Sequence, residues 1–227
     1  MSLPVIAITN ASTWVTDSQV EAAIPALQQQ VSLDFKAHWD LDSQLTFLPR
    51  SEALPDGWWQ ISVIDNPDQA GALGYHEMTS SGTPLGKVFA ALDIQSGSSW
   101  TVTLSHELLE MLADPWINWC AQGSDGKVYA LEVCDPVEAD GLGYEIGGVL
   151  VSDFITPAWF EPTQSDRVDF KGRISKALQI APGGYISALN SGGRWTQIAA
   201  QDAAQVPAGS RPQRRTMEKA EWRKSLR

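Results

Sequence analysis

The sequence predicts an α+β fold: a mixed sheet with helices over residues 1–115, then a turn-rich, mainly β half over residues 116–204. Two patterns carry this. Hydrophobic spacing in the first half switches between strand and helix periods in the order strand, helix, strand, strand, strand, helix. The second half holds short β-prone runs between Gly, Pro and Asp, with little sustained helical pattern. With 43% hydrophobic residues among 227, the chain can bury a sizeable core. No Pro/Gly linker separates the halves, so they are expected to share one cleft.

Residues 5–9 alternate as a first strand. Asp17 then reads as a capping residue, and Val20, Ile24, Leu27, Val31 and Phe35 follow at helical spacing. Pro25 is read as lying near the helix start, where proline costs least. Residues 44–49 and 58–65 read as strands, residues 66–86 as mostly loop, and residues 86–93 as a strand followed by a turn over 94–99. A helix is predicted over 99–114, stopped by Asp114-Pro115, because the residue before proline avoids helical geometry. Further strands are predicted over 127–133, 185–188 and 195–198, with a hairpin over 144–152 turning at Gly147-Gly148.

The formal net charge of −11 argues against nucleic acid as the main partner. Charge is uneven. Residues 205–227 carry seven basic side chains against two acidic, a tail of +5 on a body of −16. That tail reads either as solvated chain or as an arm gripping a protein partner. No apolar run is long enough to span a membrane. The first residues lack a basic leader pattern, so a cytoplasmic or virion-associated protein is expected. The two cysteines, Cys120 and Cys134, make no disulfide framework. They are read as plain buried thiols, with pairing across a hairpin as the alternative. Most of the ten tryptophans are expected to fill the core or an interface, and some to line a cleft.

The most informative run is His106-Glu107-x-x-Glu110 on the predicted helix. Side chains at i and i+4 lie one turn apart on one face, so His106 and Glu110 can reach the same ion. Glu107 is placed to act as general base toward metal-activated water. At about 100° per residue, His106, Glu107, Glu110 and Asp114 form one polar stripe opposite Leu104, Leu108, Met111 and Leu112. The bland alternative is a solvated acidic face.

A catalytic zinc site needs three protein ligands and an open position. Asp135, in the acidic run from Glu132 to Glu138, is the favoured third ligand, with Glu132 next. Asp114 lies about 12 Å along the axis from His106, too far to share its ion comfortably. His76 is read as a ligand, as an oxyanion donor, or as a plain loop histidine, and Tyr144 as a second oxyanion donor. His38 reads as a helix C-terminal residue. Glu110 in place of a second histidine makes the donor set harder, still suited to Zn2+ but open to other divalent metals.

With these residues in place, the chain resembles the zincin superfamily of metallopeptidases over roughly residues 15–115. It departs from the family's His-Glu-x-x-His by Glu110, and Trp116 stands where an extended motif would want a third histidine. The resemblance implies a strand, here 86–93, that binds extended peptide by strand addition. The runs 105–115, 132–136, 152–160 and 182–187 also resemble uncharacterised bacterial and phage proteins.

Three functional readings follow. The first is a zinc-dependent hydrolase, specifically a peptidase, with His106, Glu110 and Asp135 on the metal, and Glu107 and His76 catalytic. The second is a metal-stabilised structural or binding module of a phage particle or secretion apparatus, without turnover. The third is a metal-free domain whose acidic stripe is surface.

Overall fold

The computed structural model describes residues 3–67, 73–161, 167–190 and 192–200. The basic tail over 205–227 lies outside the described residues. The chain is α+β. Strand β1 (Val5–Asn10) leads to helix α1 (Asp17–Gln29). The helix cap is Thr16, not Asp17. Its hydroxyl accepts from the Gln19 N–H, and Gln19 Oε1 accepts from the Thr16 N–H, a reciprocal capping box. Pro25 falls inside α1 rather than in its first turn. The chain stays helical through a wider π segment (Gln30–Phe35) and a short α2 (Lys36–Trp39). The expected apolar face is real, with Val20, Leu27, Val31 and Phe35 buried in the core.

Strands β2 (Gln44–Phe47), β3 (Trp59–Ile64), β4 (Gly74–Met78) and β5 (Pro84–Phe89) complete a five-stranded sheet with β1, in the order β2-β1-β3-β5-β4. Only the β4–β5 pair is antiparallel. Two expectations change here. Within residues 66–86, read as mostly loop, β4 forms over 74–78 and β5 begins at Pro84. The strand over 86–93 ends at Phe89, and Ala90–Ser96 forms helix α3. Consequently β5 is an inner strand with both edges paired, so it cannot receive a peptide by strand addition. The outer strand on that side of the sheet is β4.

Helix α4 (Trp100–Ala113) follows, as predicted. Every residue from Val102 to Ala113 is buried. The leucine face packs into the main core, and the polar face is enclosed too, so the solvated-face alternative for the stripe is overturned. Gly74 sets how closely β4 approaches: a Cβ there would stand 2.7 Å from Thr103 Cγ2 and 3.0 Å from Glu107 Cγ on α4.

The second half carries β6 (Cys120–Gln122), β7 (Val128–Ala130), the hairpin β8 (Tyr144–Ile146) and β9 (Val149–Val151), β10 (Tyr185–Leu189) and β11 (Trp195–Ala199). Strands β11-β10-β7-β6 form one antiparallel sheet. Gly147 and Gly148 both have positive φ, at 57° and 84°, as a two-residue hairpin turn requires. One hydrophobic core joins Ile6, Ile8 and Leu108 of the first half to Val133, Trp159 and Ile186 of the second. Both cysteines are free, Cys120 exposed and Cys134 buried. Among the described residues, no helix is long and apolar enough to cross a membrane.

Candidate metal centre

Three elements converge on the polar face of α4. The helix supplies His106, Glu107 and Glu110, strand β4 supplies His76, and the chain after β7 supplies Glu132 through Glu138. The last segment ends in a 3₁₀ turn, Asp135–Val137. Side chains three apart eclipse in a 3₁₀ turn, so Asp135 and Glu138 face the same way. Gly184 at the head of β10 holds this turn close: a Cβ there would meet Pro136 O at 2.5 Å and Asp135 O at 2.9 Å.

All these groups are buried. Relative exposure is 1% for His106, 2% for Glu107, 0% for Glu110, 1% for Asp135 and 8% for His76. His106 Nε2 stands 3.1 Å from Glu110 Oε1 and 3.3 Å from Asp135 Oδ1. Two ligands, each about 2.1 Å from a tetrahedral ion, are separated by about 3.4 Å, so both distances suit a shared cation. Asp135, chosen from its acidic run, is therefore brought to His106. Glu107 Oε2 lies 3.5 Å from His76 Nδ1, and Glu110 Oε2 lies 3.9 Å from the same nitrogen. His76 thus reaches the site from a strand, not from a loop.

Burial alone disfavours a charged imidazole at His76. The hydrogen bond with Glu107 and the charges of Glu132, Glu110 and Glu107 outweigh it and raise its pKa above the ordinary histidine value. The surrounding carboxylates thus favour the charged form of His76.

Three groups have ligand atoms all within 4.8 Å of one another: His106, Glu110 and Cys134; His76, Glu110 and Glu132; and His106, Asp135 and Glu138. Buried His, Glu, Asp and Cys side chains here can hold a metal ion. Glu138 and Cys134 are additions to the sequence reading. The i, i+3 spacing of Asp135 and Glu138 is a signal that could have found the first. Burial, then the charge of Glu110, push the Cys134 thiol well above its usual pKa, so it is a protonated thiol in the metal-free site.

Two sequence candidates have other work. Asp114 accepts N–H bonds from Asn118 at 3.0 Å and Trp119 at 3.1 Å, closing the turn after α4. Its carboxyl is raised, chiefly by burial. Tyr144 is turned to the π segment: its hydroxyl donates to Asp34 Oδ2 at 2.8 Å and accepts from Gln30 Nε2 at 3.2 Å. The hydroxyl is therefore committed to that network and not to an oxyanion beside His106. His38 sits in the last turn of α2 against the Phe154 and Phe170 rings, as its sequence position suggested.

No family model matches this chain, and neither a curated protein nor a solved structure matches it.

Proposed function

We propose that this protein is a zincin-like, zinc-dependent hydrolase acting on peptides. The observation that carries the reading is the buried constellation of His106, Glu110 and Asp135, with Glu107 one residue from the ligand histidine on the same helix. Zinc bound to these three side chains would supply Lewis acidity, acidifying water and polarising a carbonyl. Glu107 is then the base that takes the water proton and returns it to the leaving amine. His76, held beside Glu107, steadies the oxyanion that develops in the transition state. An extended substrate would pair with the outer edge of β4, next to α4.

One observation favours the second reading, a metal-stabilised module without turnover. Glu107 Oε2 is itself fully enclosed, as suits a closed structural site more than an open catalytic one. Metal content and hydrolysis decide between them. Wild-type protein should carry zinc and cleave members of a peptide library. Glu107→Gln should keep the metal and lose cleavage. Cleavage retained in that variant removes Glu107 from the mechanism. Zinc without cleavage in wild type leaves the module reading.

A further inference from the structure

We propose that the centre holds two divalent cations rather than one, with Glu110 bridging them. This rests on the metal-site reading above and extends it. The first ion is held by His106, Asp135 and Glu138, and the second by His76 and Glu132. The two carboxylate oxygens of Glu110 point to opposite sides: Oε1 toward His106 at 3.1 Å, Oε2 toward His76 at 3.9 Å. Each flank completes its own group of ligand atoms within 4.8 Å, His106 with Asp135 and Glu138, and His76 with Glu110 and Glu132. The two groups share no residue, so each can hold an ion of its own.

His76 supplies an independent observation. Its side chain is 4% exposed, and Nδ1 is turned to the carboxylates of Glu107 and Glu110. Its Nε2 is buried and has no hydrogen-bond partner among the described residues. Nδ1, not Nε2, is the nitrogen placed to meet a cation held with Glu110 and Glu132.

Charge points the same way. Glu107, Glu110, Glu132, Asp135 and Glu138 are all at most 4% exposed. Burying five carboxylates around a single cation is costly, and a second cation offsets part of that cost. The oxygen-rich donor set suits zinc or manganese. In a hydrolase the second cation would take over from His76 the task of steadying the oxyanion.

The test is stoichiometry on the full chain, stripped with a chelator and titrated with Zn2+ and with Mn2+. Native mass spectrometry should count two ions per wild-type chain and one in His76→Ala. Two Mn2+ ions bridged by one carboxylate should also show magnetic coupling in electron paramagnetic resonance, absent from His76→Ala. Wild type saturating at one ion, lost in His106→Ala and kept in His76→Ala, overturns the second ion and leaves the single-ion reading standing. No ion in wild type overturns both. Two ions without coupling overturn the bridge. The wild-type count stands even where a variant fails to fold, and it does not depend on peptide hydrolysis.

Discussion

Asp135 Oδ1 stands 3.3 Å from His106 Nε2, although one belongs to a tight turn after β7 and the other to the middle of α4. The contact ties the two halves of the chain together at a polar point inside a shared core. Without a cation, a carboxylate cluster at such a point opposes folding. With one, the same cluster becomes a cross-link that only the folded chain can form.

Asp135→Asn is therefore expected to weaken zinc binding by ~100-fold or more, above the 10–100-fold typical when only an outer partner of a ligand is lost. Competition against a fluorescent chelator reads this directly. In wild type, zinc at about 100 times its dissociation constant should add about 2.7 kcal/mol of stability. That gain should shrink in Asp135→Asn. An unchanged affinity would remove Asp135 from the ligand set.

The reach of the sequence over this site follows from how each contact is made. His106, Glu107 and Glu110 were legible because a helix fixes their spacing. Asp135 was legible only as the density of acid around it. Glu138 was within reach through its i, i+3 spacing from Asp135, whereas Cys134 reaches the site through a crossing of the chain that residue periodicity does not encode. Strand β4 was hidden because Gly74-Tyr75-His76-Glu77-Met78 has no β-branched residue and sits in a Gly- and Ser-rich stretch. Its glycine is there for close approach to α4. Helix α3 was hidden because its seven residues continue an apolar strand without a side-chain cap. The stripe on α4 read as amphipathic, but the fold encloses both of its faces.

A second buried acid pair sets a pH dependence. Asp153 has no exposed surface, and its Oδ1 accepts the N–H groups of Phe154 and Lys171. Burial, then a hydrogen bond with Asp169 and that residue's charge, raise the Asp153 pKa from 3.8 to about 8. Between those values the native state binds more protons than the unfolded chain. The stabilisation is thus complete below about pH 4 and is lost as pH rises through about 8. His76 is also raised, so its contribution is likewise lost with rising pH and must be subtracted. The urea midpoint of metal-free wild type should fall from pH 5 to pH 8.5, and Asp153→Asn should show a shallower fall. Equal slopes would contradict a raised Asp153 carboxyl.

Gly184 tests how tightly the Asp135 turn is held. Its added Cβ would meet backbone atoms, Pro136 O at 2.5 Å and Pro136 C at 2.7 Å, which cannot swing aside. Gly184→Ala is expected to cost about 1–3 kcal/mol through overpacking. It should also loosen metal binding, since the turn must shift. Gly141→Ala, where a Cβ meets nothing within 4 Å, is the control and should be close to neutral in both readouts.

Ser105, beside His106, connects α4 to two distant segments. Its hydroxyl donates to Gln30 Oε1 at 2.7 Å and accepts the Ser152 N–H at 3.0 Å. Gln30 in turn donates to Ser152 O at 2.8 Å. All three residues are buried, and the π segment is what carries Gln30 into this position. Ser105→Ala removes a donor to Gln30 Oε1 and an acceptor from the Ser152 N–H in a place water does not easily reach. The expected cost is about 1–3 kcal/mol, seen as a lower urea midpoint at unchanged slope. Because no ligand is removed, zinc affinity should fall far less than in Asp135→Asn. A large loss of affinity with little loss of stability would mean that this network sets the pose of His106 rather than the depth of the helix.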